Sequence, residues 1–358
     1  MTDRRTFIAG LLATGLVPTL TWADAGSPAF VSAARRADGS FGLCGLSTTG
    51  QIVFECALPG RGHAAACHPI QPEVVAFARR PGTFAVVVNC VYRRESARLT
   101  APDGRHFYGH GVFSGDGTLL YTTENDYDAA RGMVGIWDVS RGYARMGEVP
   151  SGGVGPHDIR LMPDGQTLVV ANGGIETHPD TGRTKLNLHA MRSNLSYLDA
   201  LGQVADQLDL GELYRRHSIR HLAVGSDGRV AFAMQWQGDS AARPPVLGLH
   251  HRGGQSGLFD AGAQSRAEMR GYAGSVAIAP VGHAIAVTSP RGGVCQIFGK
   301  GAFQEHRLPD VCGVAGLNEG FMMTAGTGRV LYRDRDGMGW DVQHACAWDN
   351  HLISLPAI

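Results

Sequence analysis

The chain has 358 residues, 44% of them apolar and 18% charged, which supports a sizeable core and excludes a disordered chain. Its 32 Lys plus Arg balance 32 Asp plus Glu, so it has no general electrostatic hold on nucleic acid or an anionic membrane surface, and neither is expected as a partner. Glycine, at 50 residues, has about twice its usual share of ~7%, and without a collagen period that points to many tight turns between short strands.

The first 25 residues read as an address. Arg4-Arg5 followed by Phe7-Ile8 has the pattern of a twin-arginine export signal, and an apolar stretch runs from Phe7 to Leu20. Ala23-Asp24-Ala25 is the small-x-small pattern of a signal-peptidase site. The apolar stretch falls short of the ~20 residues that span a bilayer, so cleavage is expected rather than anchoring, with residues 26–358 as the mature domain and no later span. The twin-arginine route carries folded proteins, and the compartment implied is the periplasm, where disulfides persist. Seven Cys is an odd number, so at least one is unpaired within the chain. Cys44 and Cys56 fall on expected neighbouring strands, which leaves a disulfide between them open. There is no CxxC or CxxCH, which excludes paired-Cys zinc and attached c-type haem.

From His63 onward a shape recurs: a short alternating strand, a Gly-containing turn seven or eight residues later, then a hydrophobic strand. His110-Gly-Val-Phe-Ser-Gly-Asp-Gly117, His157-Asp-Ile-Arg-Leu-Met-Pro-Asp-Gly165 and His221-Leu-Ala-Val-Gly-Ser-Asp-Gly228 are the clearest copies. Asp-Gly between apolar runs is a strong hairpin signal. Copies anchored at Ser275 and Gly313 follow, a divergent one begins at His63, and a last begins at His351. The anchors lie 47, 47, 64, 54, 38 and 38 residues apart, a mean of 48, which is the length of a four-stranded propeller blade. The longest spacing carries an insertion near Gly173 to Val204, expected as a long loop or an extended outer hairpin.

Seven anchors predict an all-β fold, a seven-bladed β-propeller. The strand at His351 has no residues after it to complete its blade. Residues 29–36, 41–47 and 51–58 supply the missing strands, so the propeller is closed by N-terminal strands pairing with the C-terminal inner strand. A two-sheet sandwich or a six-blade ring is the alternative.

The innermost strands of a propeller line its channel, so the anchor residues point toward one axis. His63, His110, His157, His221 and His351 hold five of the seven anchors, in contiguous blades, although His is only about one residue in 24 of the chain. Several converging imidazoles are the donor set of a metal site for iron, copper or zinc. A hydrogen-bonded channel or an anion site is the alternative, since propellers often place one polar residue per blade here. Asp158 is a candidate ligand or an acceptor that fixes an imidazole tautomer. Glu124 and Arg220 are further candidates beside the histidines, with turn chemistry or a structural ion pair as their alternatives. Cys67 is either a deeper ligand or a small core residue. No GxSxG, Walker A, HExxH or GxGxxG following a strand is present, so no reaction is read directly.

The Arg4-Arg5 signal, His63-Ala-Ala-Ala-Cys-His-Pro, Tyr108-Gly-His-Gly-Val-Phe-Ser, Gly155-Pro-His-Asp-Ile-Arg, Ser218-Ile-Arg-His-Leu-Ala and Trp348-Asp-Asn-His resemble, over nearly the whole mature chain, a family of twin-arginine-exported bacterial proteins defined by a domain of unknown function. Genes of that family commonly lie beside imelysin-type proteins and di-haem thiol oxidoreductases in iron-acquisition clusters. The resemblance therefore implies iron handling in the periplasm, with iron-transport proteins as partners, and implies no particular reaction. The architecture is also similar to that of the carotenoid cleavage oxygenases, propellers with four axial His on ferrous iron, an analogy of fold only. Three functions follow from these residues: a metal-binding protein for iron, or copper second, in uptake or delivery; a metal-dependent oxidoreductase on the same histidines; and a metal-free interaction scaffold.

Overall fold

The computed structural model describes residues 19–79 and 83–355, so Arg4-Arg5 and nearly all of the apolar stretch lie outside the described residues. Strands arrange in seven antiparallel sheets, the blades of a β-propeller. From inner to outer strand, blade one is Gly62–Cys67, Glu73–Ala78, Ala85–Asn89 and Arg94–Leu99. Blade two is Arg105–Phe113, Leu119–Asp126, Arg131–Asp138 and Ala144–Pro150, and blade three is Pro156–Leu161, Leu168–Asn172, Asn194–Leu198 and Val204–Asp209. Blade four is His217–Val224, Arg229–Trp236, Leu247–His251 and Gly257–Leu258, and blade five is Ser275–Ile278, Ile285–Ser289, Val294–Gly299 and Ala302–Arg307. Blade six is Val311–Leu317, Gly320–Ala325, Arg329–Arg333 and Gly339–Gln343. The Asp-Gly hairpins form as their sequence dictates, with Gly117, Gly165 and Gly228 at φ between +71° and +79°, a region costly for other residues.

Blade seven joins both ends of the chain. Cys346–Trp348 and Ile353–Ser354 pair antiparallel with Phe30–Arg36, which continues into Phe41–Leu46 and Ile52–Leu58. Its inner strand is broken between Trp348 and Ile353, and His351 sits in the gap.

Each blade is apolar on both faces, so the core is divided among the joints between blades. Among the described residues it forms seven clusters: Val75, Phe77, Phe107 and Leu120 lie between blades one and two, and Tyr197, Ile219 and Phe232 between blades three and four. The joint between blades seven and one also takes Trp22, 1% exposed, whose Nε1 donates to the His68 carbonyl at 3.1 Å, and Ala25. The expected cleavage site thus falls inside a turn that packs into the core.

The register rules out a disulfide between Cys44 and Cys56. Cys44 faces Glu55 and Cys56 faces Leu43, so the two side chains stand on opposite faces of the sheet, in different joints. All seven Cys are unpaired. Cys67 packs against the cluster around Trp22, where burial pushes its thiol up to about 12, so it is a neutral core residue rather than a thiolate donor. No helix among the described residues is long and apolar enough to cross a membrane.

Candidate metal centre

Four of the five anchor histidines sit at or beside a β-bulge of their inner strand, and the fifth, His351, sits in the gap of the blade-seven inner strand. In blade one the register slips between Gly62 and Ala65, around His63; in blade two between Phe107 and Gly111, around His110. It slips between Pro156 and Asp158, around His157, and between Ile219 and His221 in blade four. Blade five, whose anchor is Ser275, has no slip. A bulge leaves its extra residue unpaired and re-aims the side chains around it; in blade four that residue is Arg220, with His221 next to it opposite Ala233, and blade six slips likewise around Gly313, between Val311 and Val314.

The structure brings all five histidines together. Imidazole centroids lie 5.0 Å apart for His63 and His110, 4.6 Å for His63 and His351, 5.0 Å for His110 and His157, 4.8 Å for His157 and His221, and 4.9 Å for His221 and His351. Two triads, His63–His110–His351 and His110–His157–His221, each place one nitrogen per residue within 4.8 Å of the others. His110, His221 and His351 are buried; His63 and His157 are half-buried. His63 Nδ1, His110 Nε2, His157 Nδ1, His221 Nδ1 and His351 Nε2 are buried nitrogens with no hydrogen bond. Buried nitrogens left without partners in the two triads are what a bound cation would satisfy.

One carboxylate holds an imidazole from behind, and a second stands farther off beside another. His110 Nδ1 lies 3.2 Å from Asp158 Oδ1, which also accepts from the Ile159 amide, while Oδ2 accepts from the Leu222 amide at 2.9 Å and from Arg160. That fixes His110 with Nδ1 protonated and its Nε2 lone pair free for a ligand. Asp349, from blade seven, takes Arg61 at 2.6 Å and Arg79 at 2.8 Å and lies 4.0 Å from His63 Nδ1. Burial opposes ionisation of Asp158, but Arg160 and His110 outweigh it and hold the acid well below its usual range; His63 and Arg79 do the same for Asp349. Burial pushes His63 down to about 4 and holds His157, His221 and His351 well below their ordinary value, so these imidazoles are neutral and ready to donate.

The sequence placed the five histidines and Asp158, and the structure sets them side by side. Glu124 is elsewhere in its chemistry: both oxygens are bound by Arg145, and Oε1 also accepts from Thr122. Arg220 lines the mouth of the site next to His157 and His221. Asp349 was the partner sequence reasoning missed. Its signal was there in Trp348-Asp349-Asn350-His351, but nothing in the spacing says that it serves His63 of the next blade.

His63, His157 and His221 line a pocket of about 240 Å³ that opens over the cluster. The blade-three insertion forms part of its wall. It is a loop over residues 173–193 that lies across the mouth, not an outer hairpin. Asn125 of blade two donates to the Thr177 carbonyl, and Lys185 Nζ donates to Gln237 of blade four at 2.5 Å, so the loop is tied on both sides.

Among solved structures, Kuenenia stuttgartiensis hydrazine synthase is similar in fold, with a TM-score of 0.59 at 13% identity over 86% of this chain and 90% of that one. No curated protein matches the sequence. Residues 56–355, which hold all five histidines, match the model of the family described as protein of unknown function, DUF1513, and the chain belongs to that family.

Proposed function

We propose that the axial histidines hold a single metal ion, iron in first place and copper in second, and that the protein handles this metal in the periplasm, in uptake or delivery alongside iron-transport proteins. The observation that supports it is the convergence of five imidazoles with buried, unpaired nitrogens, one of them pinned by Asp158. An all-imidazole donor set suits iron, copper, zinc and nickel, and raw affinity favours copper; iron comes first on the family resemblance. One ion per chain is expected, because the two triads share His110, and its Nδ1 is committed to Asp158. Export by the twin-arginine route fits a protein loaded before it crosses the membrane.

Elemental analysis of protein purified from the periplasm tests this. About one equivalent of iron or copper is expected, lost in His157→Ala and His221→Ala. Metal-free parent protein, or variants that retain as much metal as the parent, would leave a metal-free scaffold. A metal-dependent oxidoreductase is the second reading, favoured by the pocket that leaves one face of the cluster accessible. Oxygen consumption by the loaded protein separates it from simple handling.

A further inference from the structure

Proteases cut chain that is exposed and free to move. The Ala25–Gly26 bond, which Ala23-Asp24-Ala25 marks for signal peptidase, is neither. Ala23 is exposed, but Ala25 is 5% exposed and packs with Trp22 in the joint between blades seven and one. The backbone around the bond closes on itself. The amides of Ala25 and Ser27 donate to the Trp22 carbonyl at 3.2 and 2.9 Å, and that of Gly26 donates to the Ala23 carbonyl at 3.1 Å. The Asp24 carboxylate accepts from the amide and the hydroxyl of Thr21 at 2.8 and 3.0 Å, which fastens the other side of the turn. Gly26 and Ser27 stand at φ +88° and +51°, so the chain reverses where an extended substrate would run straight. Trp22 pins the turn, its buried indole donating to the His68 carbonyl of blade one. His68 follows the far end of the strand that begins beside His63, so the turn lies at the end of the ring away from the histidines.

Resting on the export reading of the first 25 residues, we propose that folding withdraws the Ala25–Gly26 bond from signal peptidase, so that the Trp22 turn belongs to the mature domain and cutting after Ala25 is confined to chains that have not folded. The twin-arginine route delivers its cargo folded, so the turn is in place before the enzyme meets it. Cutting then tracks the fraction of molecules whose turn is open, and opening takes a buried tryptophan out of the core. An unfolded chain, its bond free, is cut and loses the residues that fill the joint.

Purified signal peptidase tests this on the full-length folded chain and on a synthetic peptide of residues 1–30, in a detergent that leaves the circular dichroism of the protein unchanged. Mass spectrometry should find the peptide cut after Ala25 and the folded chain cut at least about tenfold more slowly. Trp22→Ala should bring the folded chain to within about tenfold of a peptide carrying the same change. Asp24→Ala keeps both small residues and removes the Thr21 contacts; it should speed cutting of the folded chain about twofold or more relative to its own peptide, and it decides the matter where Trp22→Ala does not fold. A folded parent cut at the rate of the peptide overturns the proposal and leaves the export reading standing. A peptide that is not cut removes Ala23-Asp24-Ala25 as a cleavage site, and the proposal with it. Folded variants that resist cutting as the parent does show that the turn is not the shield, and overturn it as well.

Discussion

At the scale of single residues, the site depends on imidazoles that are neutral and oriented. His110 is the most constrained, with Asp158 at one nitrogen and the cluster at the other. Asp158→Asn should therefore weaken metal binding ~10–100-fold, measured by competition with a chelator, while the fold persists. His306→Ala, in the outer strand of blade five, should leave metal binding unchanged in the same titration. Burial also sets the response to acid. His217 is fully buried, its Nε2 bonded to the Pro245 carbonyl, and burial lowers it from 6.5 to about 4. Between those values the unfolded chain takes up a proton that the folded one refuses. Its contribution to stability is thus fully present above about pH 6.5 and falls by roughly 3 kcal/mol as pH drops toward 4. Urea midpoints of metal-free protein should fall over that window; a flat profile would show that His217 is charged in the fold. The convergence of the five histidines was legible in the sequence because a repeat puts equivalent positions on one axis. Asp349 was not, because the carboxylate and the imidazole it faces, His63, are nearly the whole chain apart.

At the scale of the element, the bulge does the positioning. Gly109 shows how: it stands at φ +100°, and a Cβ there would lie 2.7 Å from Cδ2 of His63, so glycine serves both the backbone and the neighbouring donor. Gly109→Ala should displace His63 and cost about 1–3 kcal/mol of backbone strain. Reduced metal affinity with unchanged far-UV circular dichroism is the expected result; unchanged affinity would mean that His63 is not a ligand. Strand order and hairpin turns could be read from alternation and from Asp-Gly. The bulges could not, since a one-residue slip leaves no signature in residue type. The reach of the blade-three insertion was hidden likewise, its loop length being visible but not its direction across the axis.

At the scale of the whole molecule, the ring is shut by pairs such as Phe30 with Ser354. Trp22 fills the joint next to this closure. Trp22→Ala should lower stability by ~3–5 kcal/mol, read from the urea midpoint. A protein beginning at Gly26 should show a similar loss relative to one beginning at Leu20; equal midpoints would show that the turn at Trp22 is dispensable. The seven-blade count was legible because both termini were incomplete in complementary ways, while the role of Trp22 was masked by its place beside a stretch read as an export signal.

The donors of the site are spread from His63 to His351, 288 positions apart. At ~5–20 residues per second, ribosomal synthesis separates the first from the last by roughly 15–60 s. During that interval no nascent chain offers the complete nitrogen set. His351 arrives only with the strand that docks beside Phe30 and Val31, so the event that shuts the ring also supplies the final donor. On the proposed metal reading, a truncated chain would lack both the latch and the fifth imidazole, leaving His110, His157 and His221 as its one complete triad.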